Sequence, residues 1–328
     1  NLTWLNTYLF LLGAFVAPKT IFGICSLVGS LVCKTIVKTR RNYGHYVGVV
    51  AAIAAFVVYV YGLTFGFSQI RVRHITLNVS NLPKNFDGYR IVQVSDMHIG
   101  TFNGWRRFIL EHEMDSIKHQ NANLIVFTGD LQNMRPSEIL PFTNLLKTSM
   151  KNAIAVRGNH DYTEYVKLNP KEAEQQNNDF ANIVRHKLGW NLLENNHITI
   201  KRGNDSIVIA GTENDGKPPF PQKANYQKAL QGVAKGAFVI MLQHDPSAWR
   251  RHILPKNIAQ ITLCGHTHGG QMQFFGFRPT EIREENDYGV YRSGNHFLNV
   301  TDGLGGFAPF RVNMPNEIVV ITLKAKTT

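Results

Sequence analysis

A recurring pattern of short apolar runs constrains the fold of this chain more than any other feature. The runs are rich in β-branched residues and cover residues 90–96, 123–130, 153–159, 206–212, 237–245, 259–266, 296–303 and 317–323. Runs of this length and composition are typical of buried strands. The segments 104–119 and 135–150 that lie between them have the length and composition of helices. The alternation predicts an α/β domain.

Several of these runs end in residues that can bind a metal ion or move a proton. In chain order, the run ends read SDMHIG, TGDLQN, RGNHDY, LQHDP and CGHTHGGQ. In open α/β sheets, ligands bind in the crevice beyond the carboxyl ends of the strands. Each stretch alone is also an ordinary turn sequence, but the joint order favours a single cluster. Its candidate members are Asp96, His98, Asp130, Asn159, His160, His244, His266 and His268.

The first 69 residues have a different, apolar character. Residues 46–67 carry no charge over 22 positions, which is long enough for a helix that spans a bilayer. Residues 2–17 and 21–33 are shorter apolar stretches on either side of Pro18 and Lys19, and they would form a spanning hairpin. A buried core helix together with a signal peptide is the alternative interpretation.

We therefore expect two regions. Residues 1–69 form a transmembrane region, with helices at about 2–17, 21–37 and 46–67, and residues 70–328 form one catalytic domain. The chain begins at Asn1 and not at Met, so we expect a further segment upstream. Three cysteines at these spacings indicate neither a disulfide framework nor a cysteine zinc site.

The charge distribution favours a membrane over a nucleic acid as partner. The net charge is +12, of which residues 1–69 contribute five basic and no acidic side chains. The remaining 30 basic and 23 acidic side chains give +7, a mild excess that suits an anionic substrate or membrane surface. We expect no nucleic-acid partner, and the sequence leaves the oligomeric state open.

The basic residues of the first region also predict an orientation. Lys34, Lys38, Arg40 and Arg41 lie just before the third apolar segment. The positive-inside tendency places this connection in the cytoplasm, so the domain after residue 70 would lie outside. We expect the chain in the bacterial inner (plasma) membrane with an extracytoplasmic catalytic domain.

The ordered motifs resemble those of the calcineurin-like metallophosphoesterase superfamily: D-x-H, G-D, G-N-H-D/E, H and G-H-x-H. The resemblance covers roughly residues 88–323. GHTHGGQ and the tail DGLGGFAPFRVNMPNEIVVITL are similar to the membrane-associated branch, which includes the YkuE and YaeI phosphodiesterases and transmembrane proteins with a metallophosphoesterase domain. This implies a four-layer α-β-β-α sandwich, preceded by transmembrane helices, with two metal ions at the sheet edge.

The resemblance also implies a role for each motif residue. One ion would be held by Asp96, His98, Asp130 and His268, and the other by Asp130, Asn159, His244 and His266. Mixed imidazole and carboxylate ligands suit Mn, Fe or Zn. His160 would be the general acid at the leaving oxygen or stabilise charge there, and Asp161 would orient it. Many members have a second Asp in a G-D-x-x-D pattern, where this chain has Asn133, so the acid–base arrangement stays open.

The implied activity is hydrolysis of a phosphodiester or pyrophosphate bond by metal-activated water. The substrate would be a phosphorylated small molecule or a lipid-linked phosphate, which places the protein in lipid metabolism. One alternative is a UDP-2,3-diacylglucosamine pyrophosphatase of lipid A biosynthesis, which requires a cytoplasm-facing site. Another is a non-catalytic scaffold of the same fold, and the filled ligand positions favour the enzyme. A nuclease would need a more basic groove.

Overall fold

The computed structural model describes residues 2–326. The chain divides into two compact units. One unit comprises the described residues up to Ser68 together with Ala308–Val312. The other comprises Gln69–Phe307 and the described residues from Asn313 onward.

The first unit is built from three α-helices. These are α1 (Leu2–Leu11), α2 (Ala17–Thr35) and α3 (Gly44–Tyr61). A π-helical turn, Leu12–Val16, joins α1 to α2, so the expected break at Pro18 and the separate helices at 2–17 and 21–37 are wrong. The Ala17 N–H donates to the Leu12 carbonyl five residues back. Such local π adjustments accommodate the missing N–H of a proline within an apolar helix.

Small residues let α2 and α3 pack closely. A Cβ atom on Gly29 would lie 2.3 Å from the Gly44 Cα, and Gly48 lies one turn further along the same face of α3. Small residues at this spacing are typical of helix pairs in membranes. Two stretches, Thr7–Thr35 and Gly44–Gly66, are long and apolar enough to cross a bilayer, and only 6% and 11% of their most apolar windows are buried.

The second unit contains two six-stranded mixed sheets. The first sheet has the order β1-β12-β2-β3-β4-β5. Strand β2 pairs antiparallel with β12 and parallel with β3, and β3, β4 and β5 continue in parallel. The strands are β1 (Ile70–Val79), β12 (Asn316–Ala325), β2 (Arg90–Val94), β3 (Leu124–Phe127), β4 (Ile154–Ala155) and β5 (Asn191–Leu192).

The second sheet has the order β10-β11-β9-β8-β7-β6. Its four central strands are parallel, and β10 and β6 pair antiparallel at the two edges. The strands are β6 (Asn196–Arg202), β7 (Asp205–Gly211), β8 (Val239–Leu242), β9 (Ile261–Cys264), β10 (Gly289–Ser293) and β11 (His296–Val300).

The two sheets pack face to face around one apolar core. Alternate residues of each strand point inward, and the buried cluster joins Ile91, Val126 and Ile321 of the first sheet to Ile209 and Ile240 of the second. At about 25 cal/mol per Å² of apolar area removed from water, this contact is the main stabilising term of the domain.

Helical segments cover the two outer faces. Parallel neighbours of the first sheet are joined by α4 (Arg107–His119), α5 (Thr143–Ser149) and α6 (Pro170–Asn182), and such crossovers lie on a face of the sheet. Trp249 and Ile253, from a π-helical turn, and Tyr226, on α7 (Tyr226–Ala229), cover the second sheet. The predicted α/β fold and four-layer α-β-β-α sandwich are confirmed.

Candidate metal centre

The candidate site residues follow directly after strands of both sheets. Asp96, Asp130 and Asn159 come after β2, β3 and β4 of the first sheet, and His244 and His266 come after β8 and β9 of the second. Because these strands are parallel within each sheet, their carboxyl ends meet along one edge. The fold therefore brings the five segments together.

The backbone at this edge is held in an uncommon conformation. Five of the candidate residues have left-handed φ values between 46° and 79°: Asp96, His98, Asp130, His266 and His268. A non-glycine residue pays energy for this conformation, and such residues cluster at functional sites where the surrounding structure enforces them. The sharp turns point each side chain back toward the sheet edge.

One cluster is formed by Asp96, His98 and His268. Their ligand atoms all lie within 4.8 Å of one another. The His268 Nε2 lies 3.5 Å from the Asp96 Oδ1, and the rings of His98 and His268 stack with centroids 5.2 Å apart. The Asp96 carboxylate also accepts a hydrogen bond from the His266 N–H, which fixes its direction.

Asp130 lies between this cluster and a second one. Its Oδ2 is 3.6 Å from the His98 Nε2 and 3.2 Å from the His244 Nε2. Its Oδ1 accepts from the His160 N–H at 2.8 Å. The Asp130 carboxylate is therefore within reach of imidazoles from both clusters.

The second cluster joins Asn159, His244 and His266 to Asp130. The Asn159 Oδ1 lies 3.1 Å from the His244 Nε2 and 2.9 Å from the His266 Nδ1. The Thr128 carbonyl lies 2.7 Å from the His244 Nδ1, and a carbonyl can only accept. The Nδ1 is therefore the donor, which leaves the Nε2 to face the site.

The buried charges of the cluster perturb one another. Burial raises the pKa of Asp96. Burial also opposes ionisation of Asp130, but His244, His160 and His98 hold the pKa of that carboxyl well below its usual value. Burial lowers the pKa of His244, yet the Asp130 and Asp96 charges outweigh it and raise the value to about 10. The carboxylates thus draw positive charge toward the cluster, a role that a bound cation could take over from His244.

The residues present fit divalent transition metals. Carboxylate, amide and imidazole donors converge on Asp130, a set that suits Mn, Fe or Zn. Two glycines allow this close approach. A Cβ atom on Gly129 would lie 2.7 Å from the His244 Nδ1, and one on Gly265 would lie 2.1 Å from the Asp96 Oδ2. The sequence requires small residues next to the candidate ligands.

His160 lies at the cluster as expected, next to His98 and Asp130, whereas Asp161 does not have its expected partner. The His160 Nδ1 lies 2.7 Å from the Asn133 carbonyl oxygen, so that backbone carbonyl, and not Asp161, orients the ring. Asp161 instead accepts from the N–H groups of Asp130, Leu131, Gln132 and Gly158. The expectation that Asp161 orients His160 is wrong, because its carboxylate is used to hold the Asp130 loop. Burial and the Asp130 charge raise the pKa of Asp161 to about 7.

Asn133 does not contact the imidazole through its side chain. Its Nδ2 donates to the Thr101 Oγ1 at 2.8 Å, and its N–H donates to the Glu138 carboxylate. The side chain at this position therefore supports the loop, while the backbone carbonyl serves His160.

Tyr165 belongs to the site although no motif indicates it. Its ring stacks on the His160 ring with centroids 3.9 Å apart and an interplanar angle of 6°. Its hydroxyl accepts a 2.6 Å hydrogen bond from the Asn159 Nδ2, which turns the Asn159 Oδ1 toward His244 and His266. The contact comes from the path of a loop, so strand or helix periodicity gives no signal for it.

A pocket of about 460 Å³ opens beside His266. Its lining combines apolar groups, among them Phe220 and Met272, with Thr280, Arg283 and Glu284. The Phe220 ring meets the His266 ring edge to face at 4.8 Å. The pocket therefore has both apolar and charged walls next to one candidate ligand.

Several known proteins are similar to this chain in sequence. An uncharacterized metallophosphoesterase of Aquifex aeolicus is 30% identical over 78% of this chain and 93% of its own length. A transmembrane protein with metallophosphoesterase domain from Danio rerio is 28% identical over 84% of this chain and 62% of its own length. The crystal structure of TT1561 from Thermus thermophilus aligns with a TM-score of 0.41 and 15% identity, over 67% of this chain and 90% of that one.

Residues 89–270 match the family described as Calcineurin-like phosphoesterase. The matched span is 182 of the 328 residues and contains every strand end that supplies the cluster. The chain therefore belongs to the calcineurin-like phosphoesterase family.

Proposed function

We propose that this protein is a membrane-anchored, metal-dependent phosphoesterase that hydrolyses a phosphodiester or pyrophosphate bond. The observation that carries the proposal is the convergence of Asp96, Asp130, Asn159 and four histidines on one sheet edge. In the proposed site, Asp96, His98, Asp130 and His268 hold one divalent ion, and Asp130, Asn159, His244 and His266 hold the other. When bound, the ions would neutralise negative charge on the phosphoryl oxygens and provide a water-derived nucleophile at neutral pH.

His160 is the proposed proton donor to the leaving oxygen. Because its Nδ1 donates to the Asn133 carbonyl, the Nε2 is the atom that can carry and release a proton toward the site. The Tyr165 ring keeps the imidazole plane fixed. A positioned acid of this kind contributes about 10²–10⁴-fold to the rate. Asp161 is proposed as a positioning residue, since it touches only backbone N–H groups of the loops that carry Asp130 and His160.

The proposed substrate is a lipid-linked phosphate. Two apolar helices suited to span a bilayer support it, as does the half-apolar pocket beside His266. A relative from Escherichia coli is named phosphodiesterase YaeI, at 24% identity over 72% of this chain. A relative from Chlamydia trachomatis is named UDP-2,3-diacylglucosamine pyrophosphatase LpxG, at 25% identity over 74% of this chain, which makes that pyrophosphate the second candidate substrate.

The test is hydrolysis by the purified full chain in detergent with Mn²⁺. The substrates are bis-p-nitrophenyl phosphate, p-nitrophenyl phosphate and UDP-2,3-diacylglucosamine. Asp130→Asn should lower the rate at least about 100-fold, since loss of even an outer-shell partner costs 10–100-fold. Asp115→Asn makes the same chemical change on the exposed face of α4 and should leave the rate unchanged. Activity retained by Asp130→Asn contradicts the mechanism, and a metal-loaded parent without activity favours a scaffold.

A further inference from the structure

A hairpin of exposed aromatic residues follows the last candidate ligand. Phe274 and Phe277 pair through two backbone hydrogen bonds of 2.9 Å, with Phe275 and Gly276 at the tip. Phe274 and Phe277 are 40% and 49% exposed, and Phe275 is completely exposed. Ile282, a few residues further along, is 76% exposed. This group, called here the aromatic hairpin (residues 273–283), begins five residues after His268.

Phe275, at the tip, has an unfavourable side chain for the backbone conformation of the turn. Phe275 and Gly276 both have left-handed φ values, 52° and 86°, as in a two-residue hairpin turn that favours Asn-Gly. A bulky aromatic residue at the first position of this turn is conformationally strained. Because its ring is fully exposed, no packing within the domain offsets that cost. Where a local rule is broken without a structural gain, a functional reason is expected.

The base of the hairpin is fixed to the domain. The Asn313 Nδ2 donates to the Gln273 carbonyl at 2.9 Å, and Arg278 forms an ion pair with the buried Asp287 at 2.8 Å. The hairpin is therefore presented as a defined edge. Thr280 and Arg283 of this segment, with Met272 just before it, line the pocket beside His266, so the hairpin and the pocket wall are built from one stretch of chain.

A second aromatic group extends from the same sheet edge. Trp105 and Phe108 follow the Asp96–His98 segment and are 61% and 53% exposed. Their ring centroids are 6.4 Å apart, and the Arg106 guanidinium lies 4.8 Å from the Trp105 ring centroid. Trp and Arg side chains have an apolar part and a polar end, and together with an apolar Phe ring they suit the boundary between water and lipid.

We propose that the aromatic hairpin, with Trp105 and Phe108, docks on the headgroup region of a phospholipid bilayer and holds the pocket beside His266 at the lipid surface. The chain itself indicates that the partner of this aromatic surface is a bilayer. The candidate span Gly44–Gly66 ends four residues before β1 begins at Ile70, so a short connection tethers the domain to a bilayer. The exposed Arg283 and the half-buried Arg106 beside Trp105 carry positive charge that complements anionic headgroups. This inference rests on the membrane anchoring included in the proposed function, and is independent of the proposed chemistry.

The experiment places an environment-sensitive thiol probe at the hairpin tip. Phe275→Cys is introduced into the full chain with Cys25 and Cys33 replaced by Ser, and Cys264, which is fully buried in β9, stays unlabelled. The labelled chain is reconstituted in nanodiscs of phosphatidylcholine and phosphatidylglycerol. Leu140→Cys, on a residue of the same domain that is 41% exposed, is the matched control. Probe emission is measured with spin-labelled lipid and with aqueous iodide as quenchers.

The expected result is blue-shifted emission at position 275 that spin-labelled lipid quenches and iodide does not, with the reverse pattern at position 140. Quenching of position 275 by iodide alone overturns the proposal. Protection of position 275 from both quenchers also overturns it, because the hairpin then contacts protein such as a second copy of the chain.

Two further readouts separate the possible failures. Release of the parent chain from membranes by alkaline carbonate overturns both the anchoring and the docking. Absence of bis-p-nitrophenyl phosphate hydrolysis in an anchored parent removes only the proposed chemistry, and the quenching result still decides the docking. Phe275→Asn should leave the melting temperature unchanged or raise it, because Asn suits the turn. A lower melting temperature assigns Phe275 to folding and contradicts the proposal.

Discussion

Two backbone carbonyl oxygens decide which imidazole nitrogens face the candidate site. The Thr128 carbonyl accepts a hydrogen bond from the His244 Nδ1, and the Asn133 carbonyl accepts one from the His160 Nδ1. Both carbonyls belong to the loop that also carries Asp130, so one segment sets the tautomer of a proposed ligand and of the proposed acid. The neighbouring residue Tyr165 performs a comparable task for Asn159 and for the plane of His160.

Tyr165→Phe should weaken metal binding while preserving the stacked ring. Without the hydroxyl, the Asn159 amide loses the partner that directs its Oδ1. Loss of an outer-shell partner typically costs about 10–100-fold in metal affinity. We expect a higher Mn²⁺ concentration for half-maximal activity, with kcat at saturating Mn²⁺ close to that of the parent. Tyr89→Phe, in the core against Phe86, is the control, and equal Mn²⁺ requirements for all three proteins contradict the assigned role.

At the scale of elements, the strand ends can meet only because glycines lie beside the ligands. Gly129 has a φ of 98°, and a Cβ atom there would lie 2.6 Å from the Gly158 N. Gly129→Ala therefore adds a clash to the cost of a left-handed alanine, about 3 kcal/mol in total. Gly189, with a φ of 70° and nothing within 4 Å of its Cβ position, is the matched site, where alanine costs about 1 kcal/mol.

The measurement for this pair is the melting temperature of each variant in metal-free buffer. We expect a decrease for Gly129→Ala about three times that for Gly189→Ala. Equal decreases would mean that the loops after β3 and β4 do not approach as closely as described.

A buried ionic group joins β1 to β12. The Glu317 carboxylate, fully buried, accepts from Arg73 at 2.9 Å, from Arg71 at 3.0 Å and from the Tyr288 hydroxyl at 2.8 Å. Burial opposes ionisation of Glu317, but the charges of Arg73 and Arg71 outweigh it and lower its pKa below the usual value. Removing one partner of a buried ion pair costs about 3–5 kcal/mol, so Glu317→Gln should strongly destabilise the domain.

The same network predicts a dependence on pH. A carboxyl whose pKa is lowered by folding stabilises the protein above its unfolded value, about 4.3, and this stabilisation is lost as the pH falls through the folded value. The difference in melting temperature between the parent and Glu317→Gln should therefore be constant near pH 7 and shrink below about pH 4.5. Glu111→Gln, in an exposed pair with Arg107, is the control and should change little at any pH. A difference that grows on acidification contradicts the assignment.

At the scale of the whole molecule, the basic connection between α2 and α3 predicts the orientation. Lys38, Arg40 and Arg41 lie between the two candidate spans, and such a segment favours the cytoplasmic side. The catalytic domain should then be cleaved by protease added outside intact cells, while a cytoplasmic marker protein stays whole. Cleavage only after the cells are opened would place the domain in the cytoplasm, the side that a UDP-2,3-diacylglucosamine pyrophosphatase requires.

The sequence patterns predict the buried strands better than the exposed ones. The eight predicted runs correspond to β2, β3, β4, β7, β8, β9, β11 and β12, because buried strands are continuous apolar runs. The edge strands β1, β5, β6 and β10 do not stand out, since β5 has only two residues and the other three carry polar or charged residues along much of their length. In β1, the partner that makes Arg71 and Arg73 compatible with a strand is Glu317, distant in sequence. The hairpin expected around Pro18 and Lys19 does not form, because a π-helical turn just before the proline lets the helix continue past it.

In the candidate site, too, the sequence patterns predict some residues and miss others. Its motif residues are recognisable because carboxylates and imidazoles follow apolar runs. Their supports, such as the Thr128 and Asn133 carbonyls and the Tyr165 ring, depend on loop paths that local patterns do not encode. The resemblance implies that Asp161 orients His160, whereas its carboxylate turns toward the N–H groups of the Asp130 loop.

Metal content tests most directly the proposal that seven side chains, Asp130 among them, hold a pair of divalent ions. The purified full chain is incubated with Mn²⁺, desalted, and analysed for bound metal per chain by mass spectrometry. We expect two ions in the parent and in Asp115→Asn, and a clear loss in Asp130→Asn, which lacks the proposed bridging carboxylate. A folded parent that retains less than one ion, or an Asp130→Asn variant that retains both, would contradict it.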